Sequence, residues 1–227
     1  MSKILVVAAH PDDEILGVGA TIAKKVSQGD EAFALILGEG QTSRWQHREL
    51  VNEVIINELH KDTLNAAEIV GYSKVYFENI ADNRFDSVDL LDVVKCVEKH
   101  VETLQPDIIY THHLGDLNID HQITHRAVLT ATRPMGDCSV KEIYAFETVS
   151  SSEWNFGNKE SGFCPTIFED ISLYLTKKNS AMEKYTSELC EYPHPRSIRM
   201  LKAIAEKWGA TVGCEYAEAF EAIRVVR

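Results

Sequence analysis

The turn after the first apolar run of the chain holds side chains that could do chemistry. His10, Asp12, Asp13 and Glu14 lie in the segment 9–14, which directly follows the run Ile4–Ala8. Imidazole nitrogens and carboxylate oxygens are ligands of divalent cations. His10 and Asp13 are three positions apart at a predicted strand-to-helix junction, so both can face one side of the turn while Asp12 points elsewhere. The spacing predicts a metal site at the end of the first strand.

A third ligand has to come from another loop, because a hydrolytic cation is typically held by about three protein side chains and keeps one position open. The best candidate is His121, which ends the run 116–121 after the fourth predicted strand. A set of His10, Asp13 and His121 resembles hydrolytic zinc sites, where the pKa of bound water falls to about 7. Asp12, beside the ligand Asp13, is the predicted general base for that water. The predicted ion is Zn²⁺, with another divalent metal such as Fe²⁺ as the alternative.

The elements that must position these residues follow from periodicity, because short apolar or β-branched runs alternate with longer segments of helical spacing. The predicted strands are Ile4–Ala9, Ala32–Leu37, Lys74–Phe77, Asp107–Thr111, Ile143–Val149, Ile167–Leu175 and Glu218–Val225. The predicted helices are Glu14–Ser27, Trp45–Val70, Ser87–Leu104, His121–Arg133, Lys177–Cys190 and Ser197–Trp208. Ser150–Phe163 has no clear period and is predicted to be a long loop. The alternation predicts a Rossmann-like three-layer α/β fold, with a mainly parallel sheet covered by helices.

The unusual polar residues cluster directly after the first four predicted strands. These clusters are residues 10–14, 38–44, 78–84 and 112–121. Because the carboxyl ends of parallel strands share one edge of the sheet, the clusters should meet in one crevice. We predict a single domain over residues 1–227, in which residues 150–227 form a C-terminal extension that contributes to the pocket.

Composition and charge exclude several classes of protein. The chain has 227 residues, of which 44% are hydrophobic and 26% charged, as in an ordinary globular protein. Its net charge of −12 disfavours nucleic acid and anionic membranes as partners. The five cysteines are widely spaced without a Cys-x-x-Cys pair, which indicates neither a disulfide framework nor a thiolate zinc site.

The N-terminal apolar run is too short for a membrane span and lacks the features of a secretory signal, so we expect a cytoplasmic protein. The sequence leaves open whether the chain forms a homo-oligomer.

The segment Ala9-His10-Pro11-Asp12-Asp13-Glu14 and the pair Asp120-His121 together resemble the PIG-L/LmbE-like de-N-acetylases. The two motifs have the same order and similar spacing in that family, and the resemblance extends over most of the chain. It implies an LmbE-like fold and a metal-dependent amidohydrolase that removes acetate from an N-acetylated amino sugar or its conjugate. It also implies metal ligation by His10, Asp13 and His121, with Asp12 as the general base.

The same resemblance implies roles in the more variable loops. Arg44 resembles the family's substrate-binding arginine, and Asp82 resembles a sugar-binding acid. Asn118 and Asp120 join Asp12 as candidate catalytic residues. Asn118 is a departure, because many members have a histidine there, in a His-Pro-Asp-His run. An amide can supply a hydrogen bond but no proton, so protonation of the leaving amine is assigned to Asp12 or to a nearby histidine.

Three histidines are candidates for that proton donor, namely His112, His113 and His194. His194 and Arg196 lie in the irregular stretch 193–197, where a proline-stiffened turn could contact an anionic part of the substrate, such as a phosphate. His113, His194 and Arg196 are therefore also predicted substrate contacts.

Two alternatives from other functional classes remain open. A three-ligand metal set also suits a phosphoesterase, which releases phosphate instead of acetate. A non-catalytic sugar-binding protein of the same fold would use the crevice for recognition only. The presence of Asp12 together with all three predicted ligands argues against that second alternative.

Overall fold

Strands and helices alternate along the chain in the computed structural model, which describes residues 1–48, 53–156 and 162–227. The strands are β1 (Lys3–Ala8), β2 (Glu31–Gly38), β3 (Lys74–Ile80), β4 (Ile108–His112), β5 (Glu142–Phe146), β6 (Ile167–Asp170) and β7 (Ala217–Val225). The helices are α1 (Asp13–Ser27), α2 (Glu53–Val70), α3 (Leu90–Leu104), α4 (Ile119–Ala131), α5 (Leu175–Met182) and α6 (Ile198–Val212).

All seven of these strands pair in one sheet, in the order β3-β2-β1-β4-β5-β7-β6. The pairs among β1 to β5 are parallel, whereas β7 is antiparallel to both β5 and β6. The predicted α/β class with a mainly parallel sheet is confirmed. The carboxyl ends of β1, β2, β3 and β4 lie at one edge, as a parallel sheet requires.

Helices cover both faces of the sheet, and β1 shows why. Its alternate residues Ile4 and Val6 join a core with α1, α2 and α5, while Leu5 and Val7 join a second core with α3 and α4. A strand buried on both faces is apolar throughout because successive side chains point to opposite faces. None of the described helices combines the length and apolarity needed to cross a bilayer.

The predicted strand Ile167–Leu175 is wrong beyond Asp170. The side chain of Asp170 accepts hydrogen bonds from the backbone N–H and the hydroxyl of Ser172, at 2.9 and 2.6 Å. Such a local turn competes with strand pairing. Leu173 is then 87% exposed, and α5 begins at Leu175. The second half of the predicted strand is therefore a turn followed by the start of a helix.

Two predicted helices extend too far. The predicted helix Trp45–Val70 starts too early, because the backbone at Trp45 is extended. The described part of the helix begins at Glu53. Arg48 donates two hydrogen bonds of 2.7 Å to the buried carboxylate of Glu39, which ties this segment to the loop after β2. Residues 49–52 of that predicted helix and 157–161 of the predicted loop lie outside the described residues.

The helix predicted over Lys177–Cys190 ends at Met182 and continues as turns. The turns direct the buried side chain of Tyr185 toward Glu14, whose carboxylate accepts a hydrogen bond from the tyrosine hydroxyl. Contacts distant in sequence therefore override helical spacing in this segment.

A buried ion pair joins α5 to β7. The ammonium group of Lys178 lies 2.6 Å from the carboxylate of Glu218 and donates to the carbonyl of Leu16 at 2.7 Å. Glu218 also accepts backbone N–H groups of α1, from Ala20 and Thr21. The pair therefore connects the C-terminal part of the sheet to the helix that follows the first strand.

We expect Lys178→Met to lower the free energy of unfolding by about 3 kcal/mol, because it leaves the Glu218 charge buried without its partner. Urea denaturation measures the change. The control is Lys24→Met, which removes a more exposed ion pair with Glu169 and should cost no more than about 1 kcal/mol. Equal losses in the two variants would contradict a special role for the buried pair.

Candidate active site

The four polar clusters converge as predicted, and they line one cavity of about 260 Å³. The loops after β1, β2 and β3 and the segment before α4 contribute, together with residues from two later segments, 148–151 and 188–196. The polar and charged side chains of its wall include His10, Asp12, Asp13, Arg44, Asp82, Asn118, His121, Glu188 and Arg196.

Three predicted ligand atoms form a nearly equilateral triangle. His10 Nδ1 lies 3.3 Å from His121 Nε2, and Asp13 Oδ2 lies 3.4 Å from each of these nitrogens. A tetrahedral cation with bonds of roughly 2.0–2.1 Å holds its ligand atoms about 3.3–3.4 Å apart. The triangle therefore fits one face of such a coordination sphere, with the fourth corner open.

Each of the two predicted ligand histidines has a carboxylate near its other ring nitrogen. Asp120 Oδ2 lies 3.0 Å from His10 Nε2, and Asp116 Oδ1 lies 3.2 Å from His121 Nδ1. Asp120 is itself held by the N–H of Phe85, at 3.0 Å. Carboxylates in this position fix the orientation and tautomer of metal-binding imidazoles.

Asp13, Asp116 and Asp120 also make the surroundings of His10 and His121 attract positive charge. Burial alone would lower the pKa of His121, but Asp13 and Asp116 raise it to about 9. Burial likewise opposes ionisation of Asp116, yet its contacts with His121 lower the pKa of that carboxyl to about 2. A cluster that favours protonated histidine has the electrostatics that a divalent cation would satisfy.

We expect Asp120→Ala to weaken metal affinity by roughly 10–100-fold, because His10 loses the carboxylate that orients it. Competition with a chelator measures the affinity. Asp86→Ala is the matched control, since that carboxylate is exposed and lies in the neighbouring loop. If both variants bind metal as tightly as the unaltered protein, Asp120 does not position His10.

Asp12 has an unusual backbone and a charged neighbour. Its φ of 104° lies in the left-handed half of conformational space, which is rare for residues other than glycine and is stabilised here by a hydrogen bond from its N–H to Glu14 Oε2. Arg196 Nη1 donates to Asp12 Oδ2 at 3.2 Å. Burial and the carboxylates of Asp13 and Glu188 raise the pKa of Asp12 well above its ordinary value, while Arg196 opposes that shift. A raised pKa suits a carboxylate that must take up a proton.

Glu188 is a cavity residue that sequence reasoning missed. Its carboxylate accepts hydrogen bonds from Arg44 at 2.6 Å, from Arg196 at 2.7 Å and from Gln41 at 2.9 Å. It falls in the segment predicted to be a helix, where a glutamate is ordinarily a surface residue. Asp116 was missed as well, although it stands five residues before His121.

Two other predicted residues lie in the cavity wall. Asp82 Oδ1 is 3.3 Å from His10 Nε2, and Asp82 Oδ2 accepts the N–H and the hydroxyl of Ser43 at 3.0 and 2.6 Å. Asn118 caps α4 by accepting the N–H of Asp120, and its amide donates to Asn83 at 3.0 Å. Asn118 thus has a local structural role in addition to facing the cavity.

None of the three histidines considered as proton donors lines the cavity. His112 is fully buried, and its Nε2 accepts the N–H of Ala9 at 2.9 Å, so that nitrogen carries no proton to donate. His113 pairs with Glu221 at 2.7 Å, and His194 accepts the N–H of Arg196. Asp120 also lies behind His10 instead of in the cavity wall.

Comparison with known proteins identifies relatives along most of the chain. Residues 5–132 match the PIG-L family model, which is described as GlcNAc-PI de-N-acetylase. The uncharacterized deacetylase YaiS of Escherichia coli (strain K12) is 29% identical over 190 residues, covering 81% of this chain and 90% of YaiS. A probable N-acetyl-alpha-D-glucosaminyl L-malate deacetylase 2 of Bacillus anthracis is 22% identical over 188 residues, covering 82% of this chain and 80% of that protein.

Solved structures share the fold. The conserved protein TT1542 from Thermus thermophilus has a TM-score of 0.78 and 24% identity, with 100% of this chain and 97% of that chain covered. GalB, the 4-carboxy-2-hydroxymuconate hydratase from Pseudomonas putida KT2440, has a TM-score of 0.76 and 21% identity, with coverages of 100% and 99%. The fold is therefore shared with a protein named as a hydratase, so the fold alone does not identify the activity of this chain.

Proposed function

Because the chain belongs to the PIG-L family, we propose that it is a metal-dependent deacetylase that hydrolyses the N-acetyl group of an amino-sugar conjugate and releases acetate. Two relatives with coverage of at least 80% on both sides are named as deacetylases, and one of these names includes an N-acetylglucosaminyl conjugate. The observation that carries the proposal is the triangle of His10, Asp13 and His121 with the carboxylate of Asp12 beside it. Residues 1–227 would act as a single domain, whose C-terminal part supplies Glu188 and Arg196.

The three triangle residues would hold the ion, for which we propose Zn²⁺. When bound there, Zn²⁺ polarises an acetamide carbonyl and lowers the pKa of water. The attacking water gives one proton to Asp12 while its oxygen bonds to the carbonyl carbon. The carbon–nitrogen bond then breaks, and the amine nitrogen receives a proton from Asp12. The products are acetate and a free amino sugar.

Asp12 serves in both proton transfers in this scheme because the predicted alternatives do not reach the substrate. His112, His113 and His194 are absent from the described cavity wall, and Asn118 carries an amide that cannot release a proton at neutral pH. Arg196 keeps the Asp12 carboxylate oriented through its 3.2 Å hydrogen bond. Asp82 and Arg44 are our proposed substrate-binding residues in the same cavity.

Acetate release tests the proposal directly. The purified chain, depleted of metal and reloaded with Zn²⁺ or Fe²⁺, is incubated with N-acetylglucosamine glycosides, and acetate is measured enzymatically. Metal-dependent acetate release is the expected result. Phosphate release from sugar phosphates without acetate release would support the phosphoesterase alternative. Binding of the sugars without turnover by the metal-loaded protein would support the binding-protein alternative.

A further inference from the structure

We propose that the deacetylase substrate carries no anionic group on the part of the aglycone that enters this cavity. The inference rests on the proposed function and narrows its substrate class to uncharged glycosides. The sequence suggested that Arg196 contacts a phosphate or a similar anion. Both arginines of the cavity wall are instead paired with carboxylates of the chain itself.

Arg196 contacts two carboxylates of the chain. Its Nη1 group donates to Asp12 Oδ2 at 3.2 Å and to Glu188 Oε2 at 2.7 Å, so one guanidinium edge lies between two carboxylates. Arg44, in the loop after β2, donates a hydrogen bond from Nη2 to the same oxygen of Glu188, at 2.6 Å. Its Nη1 group lies 3.4 Å from the carbonyl of Ser187. Among the described residues that line the cavity, these two arginines are the permanently charged cations.

Releasing either arginine to an incoming anion would be unfavourable. The side chain of Glu188 is only 5% exposed, so its carboxylate is largely withdrawn from water and depends on the guanidinium groups that neutralise it. A buried carboxylate that loses its partner keeps the cost of desolvation without the compensating attraction. An anionic substrate that binds the Nη groups paired with Glu188 would therefore have to compete with that carboxylate for Arg44 and Arg196.

The charge of the whole wall gives an anion no other attraction. Besides its histidines, the described wall carries four carboxyl groups, on Asp12, Asp13, Asp82 and Glu188, and two guanidinium groups, on Arg44 and Arg196. A bound divalent cation and the two guanidinium groups would together only balance four carboxylates. The carboxylates of Asp116 and Asp120 behind the ligands add further negative charge, so the local potential does not concentrate anions.

Three neutral donors of the wall are also engaged. The hydroxyl of Ser43 and the amide of Asn83 donate to Asp82, at 2.6 and 3.1 Å, and the amide of Gln41 donates to Glu188. The wall therefore offers mainly carboxylate oxygens, which accept hydrogen bonds. Sugar hydroxyl groups can donate to such oxygens, whereas carboxylate and phosphate groups are acceptors and cannot.

Two glycosides that differ chiefly in charge test the inference. They are the methyl α-glycoside of N-acetylglucosamine and its α-glycoside with L-malate, which carries two carboxylates. We expect kcat/KM of the metal-loaded enzyme to be higher for the methyl glycoside by on the order of tenfold or more at low ionic strength. A preference for the malate conjugate would overturn the inference while leaving the deacetylase proposal intact.

Glu188→Gln provides the second arm, because it removes the charge that occupies both arginines. The preference for the methyl glycoside should fall by on the order of tenfold, through improved use of the malate conjugate. The matched control is Glu191→Gln, which changes an exposed glutamate outside the cavity and should leave the preference unchanged. An unchanged preference in folded Glu188→Gln would overturn the pairing argument.

Affinity separates failure of this inference from failure of the proposed function. If neither compound releases acetate, the deacetylase proposal fails, and calorimetry on the metal-loaded protein still compares their binding. Tighter binding of the methyl glycoside supports the inference in that case. Equal binding, tighter binding of the malate conjugate, or no binding of the methyl glycoside overturns it. If Glu188→Gln fails to fold, the same calorimetry on the unaltered protein decides whether the cavity prefers the uncharged glycoside.

Discussion

Replacing His121 by alanine should abolish both metal retention and acetate release. His121 supplies one of the three proposed ligand atoms, 3.3 Å from His10 Nδ1 and 3.4 Å from Asp13 Oδ2, and the remaining two cannot define a face of a tetrahedral site. Loss of an orienting carboxylate weakens metal affinity by about 10–100-fold, so loss of a ligand should weaken it by more than about 100-fold. Metal content after dialysis against chelator and acetate release under matched conditions measure both effects.

A histidine elsewhere in the fold provides the control for His121→Ala. His60 stacks on Phe77, with ring centroids 4.1 Å apart, and does not line the cavity. We expect His60→Ala to retain the metal and most of the acetate release. Equal metal content in His121→Ala and the unaltered protein would show that the triangle is not the metal site.

Much of the fold was predictable because buried parallel strands have an unmistakable pattern. Ile4–Ala8 is apolar at every position, since helices cover both of its faces, and the structure places β1 at Lys3–Ala8. Convergence of the polar loops followed from the direction of the strands alone. The errors arose where side chains overrode periodicity, as at Ser172, whose hydrogen bonds to Asp170 end β6.

The site was predictable only where neighbouring residues in the chain form a motif. His10, Asp12 and Asp13 fall within one turn, so their spacing in the sequence was enough to predict that they lie together. Glu188 meets Arg44 across 144 positions of sequence, and neither residue has a local pattern that predicts the pair. Sequence reasoning therefore found the cavity's arginines but not the carboxylates of the chain that contact them.

Asp12→Ala should retain the metal and lower kcat by roughly 10²–10⁴-fold, which is the usual contribution of a positioned proton-transfer group. Asp12 does not belong to the ligand triangle, since the atoms that form it come from His10, Asp13 and His121. Removal of its side chain therefore leaves the donor atoms in place. Metal content and acetate release, measured on the same preparation, separate the loss of proton transfer from the loss of metal.

Asp12→Asn distinguishes proton transfer from a merely structural role of this residue. Asparagine tolerates positive φ better than most residues, and its carbonyl oxygen can still accept the hydrogen bond from Arg196. If Asp12 moves protons, the asparagine variant should be as inactive as Asp12→Ala although it preserves that contact. If instead Asp12 only anchors Arg196, Asp12→Asn should recover most of the activity that Asp12→Ala loses. Near-normal rates in both variants would require the base to be sought elsewhere in the cavity, where Asp82 is the next carboxylate, 3.3 Å from His10 Nε2.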